Sequence, residues 1–96
     1  MTDYSKMSDF EINEAVSMAL LSQSKNPEAK YVAVGNYCNS WADAGPIIAS
    51  NRISLRNRHE GDWQAVNEWG VSHSYIDKNP LRAAMVVFLM MNEGEG

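Results

Sequence analysis

One apolar segment near the end of the chain, residues 79–91, constrains the fold more than any other feature. Asn79 can cap a helix, Pro80 suits its first position because proline lacks an N–H, and Gly94 can provide a left-handed stop. Apolar residues occupy every face of this helix, and Arg82 is its only charge. Such a helix must be covered all round, and it is shorter than the ~20 residues that a bilayer requires. We therefore predict a buried helix that the rest of the chain or a second copy covers.

A second helix is predicted near the start of the chain, over residues 7–21. Ser8 and Glu11 have the spacing of a capping box, and Met7 and Ile12 bracket it as a hydrophobic staple. The helical period gives an apolar stripe of Ile12, Ala15, Val16, Ala19 and Leu20, and a polar side of Asp9, Asn13, Glu14 and Ser17. This pattern predicts an amphipathic surface helix, which the polar run before Pro27 ends.

The middle of the chain gives weaker signals. Residues 31–34 favour a short strand ended by Gly35. A short helix follows, either capped by Ser40 or starting at Asp43, and the second choice places Pro46 in the first turn, where proline is tolerated. The expected stop is Asn51. The residues expected to point inward are Ile47, Ile48 and either Trp41 or Ala44.

The next segments predict a small sheet. Residues 53–55 and 63–69 alternate as strands around a polar turn at residues 57–62, and residues 71–76 offer a third strand. One face of the second strand would carry Trp63, Ala65 and Trp69. The chain is therefore predicted to be α+β, with N-terminal, short middle and C-terminal helices packed on a small, mainly antiparallel sheet.

Composition limits the class of protein. A chain of 96 residues with 45% hydrophobic residues is expected to form a single domain, 1–96, with residues 1–6 and 92–96 frayed. The lone Cys38 and the lack of a secretory leader predict a reduced, cytoplasmic protein with no membrane segment. The net charge of -4 disfavours a nucleic-acid partner because it repels phosphates.

Three stretches of the chain carry a resemblance to a known family. They are Tyr4 with residues 8–13, residues 36–39 with 41–48 and 53–55, and residues 79–89. In these stretches the chain resembles NinX-like proteins, small proteins of lambdoid phages and enterobacterial prophages. The resemblance implies a phage or prophage origin and an accessory role, and it implies no particular biochemical activity.

The candidate catalytic groups have simpler interpretations. Cys38 could act as a nucleophile with His59 or His73, but a lone cysteine is most often a packing residue. These three residues also lack the close spacing of recurrent zinc sites. Glu60 and Asp62 could form an acid–base pair, although an acidic residue beside glycine is typical of a turn. We therefore expect no catalytic residues, no metal and no cofactor.

The local basic cluster gives an alternative function. Arg52, Arg56 and Arg58 lie close in sequence to Trp63 and Trp69, and arginines interleaved with tryptophans are typical of single-strand nucleic-acid binding. A solvated hairpin explains the same residues if the arginines pair with neighbouring acids and the tryptophans enter the core. The overall acidity favours the hairpin interpretation.

The leading expectation is a non-catalytic accessory protein that binds a host or phage protein. Its support is the small size, the acidity, and an aromatic and methionine content typical of protein interfaces. The C-terminal helix could also form a homodimer through Met85, Phe88, Met90 and Met91. A single-strand nucleic-acid-binding module with the arginine cluster is the alternative, and a small hydrolase with Cys38 is a weaker one.

Overall fold

The computed structural model describes residues 3–23, 34–67 and 72–95. Its elements in chain order are a 3-10 helix Tyr4–Lys6, α1 Asp9–Gln23, α2 Trp41–Ser50, β1 Ser54–Asn57, β2 Trp63–Asn67, β3 His73–Asp77 and α3 Pro80–Glu95. The predicted α+β class is confirmed. Within the described ranges, no helix has the length and apolar character needed to span a membrane.

The apolar C-terminal segment forms α3, which occupies the core as predicted. Asn79 caps it, because the Asn79 Oδ1 accepts the N–H groups of Leu81 at 2.9 Å and of Arg82 at 3.4 Å. The helices α1 and α2 and the sheet all pack against α3. Met85 and Phe88 have no exposed surface within this single chain. The burial of α3 therefore requires no second copy.

The predicted stop at Gly94 is wrong, because α3 continues through Glu95. Asn92 lies in the last turns and donates from its Nδ2 to the Phe88 carbonyl at 2.8 Å, as a residue within a helix can do. A glycine near a helix end permits a left-handed stop but does not require one, since its cost inside a helix is only about 1 kcal/mol.

The capping box at the start of α1 is confirmed. The Glu11 N–H donates to the Ser8 Oγ at 3.1 Å, and the Ser8 N–H donates to the Glu11 Oε1 at 2.9 Å. The hydrogen bonds that Ser8 donates to the Glu11 carboxylate, first from its backbone N–H and then from its side chain, lower the pKa of Glu11. The chain before the cap is also ordered, since Tyr4–Lys6 form a 3-10 helix and Tyr4 is buried. The expectation that residues 1–6 fray is therefore wrong for residues 4–6.

The predicted polar side of α1 is wrong at two positions. Asn13 and Ser17 are 7% and 4% exposed, because the loop before α2 packs over them. The Asn13 Oδ1 accepts the Cys38 N–H at 3.0 Å, and the Ser17 Oγ lies 3.5 Å from the Tyr37 Oη. The loop supplies hydrogen-bond partners that a helical period cannot reveal.

Of the two predicted starts of α2, the structure shows the one that Ser40 caps. The Ser40 Oγ accepts the Asp43 N–H at 3.3 Å, and Pro46 therefore lies inside the helix. Asn51 ends α2 as predicted, with its Nδ2 donating to the Ile47 carbonyl at 2.8 Å. Ala44 points inward and Trp41 points to solvent. Most of the strand predicted at residues 31–34 lies outside the described residues.

The described strands form an antiparallel sheet in the order β1-β2-β3. The register aligns Leu55, Ala65 and Tyr75, and Ala65 is fully buried beneath α3. The face toward α3, here called the inner face, therefore also carries Trp63 and Asp77. The outer face carries Ser54, Arg56, Gln64, Val66, Ser74 and Ile76. The hairpin between β1 and β2 closes through Gly61, whose φ is +88°.

Candidate functional site

The N-terminal ends of α1, α2 and α3 meet around the loop at residues 36–40. The Asn39 Nδ2 at the start of α2 lies 3.3 Å from the Asp9 Oδ2 of α1. The Asn79 Nδ2 at the start of α3 donates to the Cys38 carbonyl at 2.5 Å. This convergence concentrates the positive ends of the helix dipoles in one region.

Arg82 lies at the centre of this region, and its side chain is only 12% exposed. Its Nη1 donates to the Asp9 Oδ1 at 2.8 Å, and its Nε donates to the Asp77 Oδ2 at 3.1 Å. Its Nη2 donates to the carbonyls of Tyr4 at 3.0 Å and Met7 at 2.6 Å. One guanidinium therefore joins the N-terminal segment, α1, β3 and α3.

The positive charge of Arg82 is paired with the carboxylates of Asp9 and Asp77. Burial alone would lower the pKa of Arg82, but the hydrogen bond to Asp9 and the charges of Asp77 and Asp9 raise it overall. Four hydrogen bonds occupy a guanidinium that has five N–H donors. The carboxylates of Asp9 and Asp77 also offset the helix dipoles. The arrangement therefore links elements of the fold through one guanidinium.

Cys38 lies next to this cluster and is completely buried. Burial, and secondly the charge of Asp9, raises the pKa of its thiol from the ordinary 9.0 to about 12. The thiol is therefore protonated at neutral pH, whereas a nucleophile requires the thiolate. None of the hydrogen bonds described for Cys38 involves His59, which is exposed in the hairpin turn, or His73, which lies in β3.

The raised thiol pKa predicts a dependence of stability on pH. The folded chain retains the thiol proton to a higher pH than the unfolded chain, so this contribution is complete below pH 9.0 and is lost as the pH rises toward about 12. We expect the free energy of unfolding from urea melts to fall more steeply above pH 9.0 for the wild type than for Cys38→Ala. Parallel pH profiles of the two proteins would contradict the assignment.

The structure does not bring the predicted arginine cluster together on one surface. Arg56 lies on the outer face of the sheet, whereas Trp63 lies on the inner face. Arg58 is engaged within the hairpin, with its Nη2 3.0 Å from the Glu60 Oε2 and its Nη1 3.3 Å from the Asp62 Oδ2. Glu60 and Asp62 therefore form ion pairs within the hairpin.

The remaining arginine and tryptophan do not complete a site. Arg52 follows α2 in a left-handed conformation, with φ +54°, and forms an interaction of its own. Trp69 lies outside the described residues. A stacking surface that combines these arginines and tryptophans is therefore not visible in the described part of the chain.

The residues of α3 predicted to form an interface differ in their exposure. Met85 and Phe88 are buried, while Met90 and Met91 near the end of α3 are half-buried. The large apolar side chains that are most exposed lie elsewhere: Phe10 is 62%, Met18 63% and Trp41 58% exposed. Sequence reasoning missed Phe10 and Met18 as surface residues. The available signal was that neither belongs to the inward stripe of α1.

An open groove adjoins the exposed Met18. It has a volume of about 440 Å³ and lies between α1 and α3. Its apolar lining includes Met7, Ala15, Met18, Ala19 and Leu89. The groove extends the apolar surface of α1 toward the last turns of α3.

Comparison with protein families places the chain in a known family. The family model described as "Bacteriophage P22, NinX" matches residues 3–92. Comparison with curated proteins and with solved structures found no significant match. Within the described ranges, no group of three or more His, Cys, Asp or Glu residues is arranged to hold a metal ion.

Proposed function

The chain belongs to the bacteriophage P22 NinX family, and on this premise we propose that it is a non-catalytic phage accessory protein that binds another protein. The proposed partner is a protein of the host or of the phage, and the proposed location is the host cytoplasm. The single observation that carries this proposal is the exposure of two large apolar side chains, Phe10 and Met18, on the outward side of α1.

Four residues of α1 depart from the usual rule that polar side chains face solvent and apolar ones face the core. Asn13 and Ser17 are buried, whereas Phe10 and Met18 are 62% and 63% exposed. Neither Phe10 nor Met18 belongs to the core cluster or packs against it as a partly buried residue. Large apolar side chains that contribute nothing to the core and lie on one surface are typical of protein interfaces.

Affinity capture with a surface variant tests the proposal. A tagged chain would be expressed in host cells that carry the phage, captured with and without nuclease, and analysed by mass spectrometry. We expect one protein to copurify stoichiometrically after nuclease treatment. The double variant Phe10→Ser and Met18→Ser is expected to lose it, since the substitutions remove the apolar contact area.

The matched control is Ile76→Ser, which changes a 44% exposed apolar residue on the outer face of the sheet. This variant should retain the captured protein. Circular dichroism melts would show that each variant is folded. Capture that requires nucleic acid, or that survives the double substitution unchanged, would overturn the proposal.

A further inference from the structure

On the exposed side of α1, Glu14 lies in line between the two large apolar residues Phe10 and Met18, and the exposed Glu11 lies beside this line. Phe10, Glu14 and Met18 are spaced by four residues, so they lie in one row along the helix, with successive residues separated by a rise of about 6 Å. All three are exposed. We call this row the outer row of α1.

Glu14 is the charge that a partner of this row must accommodate. No hydrogen bond or ion pair is described for Glu14, in contrast to Asp9, which is bound by Arg82. A partner that covers Phe10 and Met18 also covers Glu14, which lies between them. An unpaired carboxylate under a protein interface is strongly unfavourable, so the partner must supply a positive charge there.

This requirement argues against a second copy of the chain as the occupant. Two outer rows related by a twofold axis would place Glu14 of one copy against Glu14 of the other, with Phe10 against Met18 on either side. The two carboxylates would repel, and each copy carries a net charge of -4. A partner with a basic residue at this position has no such penalty.

We propose that the outer row of α1 binds a helix of a partner protein that places a Lys or Arg against Glu14. Apolar residues about one turn before and after that base would contact Phe10 and Met18. Helices pack in this way by matching rows of side chains, and the adjoining groove beside Met18 accommodates apolar side chains at the edge of the contact. This inference rests on the proposed function and specifies the chemistry of the partner.

Two synthetic helical peptides test the inference. Each would have about 18 residues, with leucines one turn before and after a central position that is Lys in one peptide and Glu in the other. Fluorescence anisotropy would measure their binding to the wild-type chain and to Glu14→Lys. We expect the wild type to prefer the Lys peptide at least about tenfold, and Glu14→Lys to reverse the preference.

The controls separate this inference from the proposed function. Phe10→Ser with Met18→Ser should abolish binding of the Lys peptide, while Ile76→Ser should not change it. Equal binding of both peptides, or binding of neither, would overturn the inference. Self-association in sedimentation experiments that these two serine substitutions abolish would do the same, because a second copy would then occupy the row. None of these results depends on the capture experiment, which tests the proposed function by itself.

Discussion

Replacing Phe88 with Ala is expected to lower the free energy of unfolding by about 3 to 5 kcal/mol, as measured by urea denaturation. Phe88 is the largest of the fully buried side chains and lies in α3, against which α1, α2 and the sheet all pack. Truncation removes apolar burial and leaves a cavity at this junction. Because small domains have only about 5 to 15 kcal/mol of stability, this loss is a large fraction of the total, and the midpoint of the urea melt should fall in proportion.

Phe10→Ala provides a matched control, because it is the same chemical change at a position that is 62% exposed. We expect its effect to remain within about 0.5 kcal/mol, the usual range for surface substitutions. A loss of less than about 1 kcal/mol for Phe88→Ala would contradict the position of α3 at the centre of the fold.

The ends of the helices were largely predictable because they depend on neighbouring residues. The capping box of Ser8 and Glu11 and the cap by Asn79 satisfy backbone N–H groups within three residues of the cap. The predicted stop at Gly94 is wrong because glycine permits the end of a helix but does not require it, and α3 continues to Glu95. Local signals therefore identified the starts of the helices better than the end of α3.

Contacts between distant parts of the chain could not be predicted in the same way. The burial of Asn13 depends on its hydrogen bond to Cys38, and that of Ser17 on contact with Tyr37, both from a loop that only the fold brings near. A helical period assigns polar residues to solvent and cannot foresee such partners. The exposure of Phe10 and Met18, in contrast, agrees with the helical period, because neither residue belongs to the inward stripe of α1.

The arginine cluster shows a second limit of sequence reasoning. Arg56 and Trp63 are close in sequence, but successive residues of a strand point to opposite faces, and the register of β1 with β2 assigns these two to opposite sides of the sheet. Sequence proximity predicted a shared surface, whereas the register determines which side chains meet. The pairing of Arg58 with Glu60 and Asp62 agrees with the solvated hairpin interpretation.

Arg82 was recognised from the sequence only as an isolated charge in an apolar helix. Its partners come from two separate parts of the chain: Asp77 precedes the helix, while Asp9 and the carbonyls of Tyr4 and Met7 belong to the N-terminal region. The contacts made by Arg82 span up to 78 positions in sequence.

Replacing Arg82 with Met is expected to destabilise the chain by about 3 kcal/mol, although Met retains most of the apolar volume. The substitution leaves Asp77 without its ion pair and the carbonyls of Tyr4 and Met7 without a donor. The loss at Asp9 is smaller because its side chain is 46% exposed and water can solvate it. Arg82→Lys should recover only part of the stability, because one ammonium cannot reproduce the planar set of donors.

Arg56→Met is the matched control, since the same change at an exposed position on the outer face should alter the free energy of unfolding by no more than about 0.5 kcal/mol. A double-mutant cycle then separates the ion pair from the loss of packing. Asp77→Asn combined with Arg82→Met should destabilise the chain by less than the sum of the single changes, since the second substitution removes a partner that is already lost. Strict additivity in urea melts would contradict the coupling between Arg82 and Asp77, because a double-mutant cycle reports the interaction of these two residues.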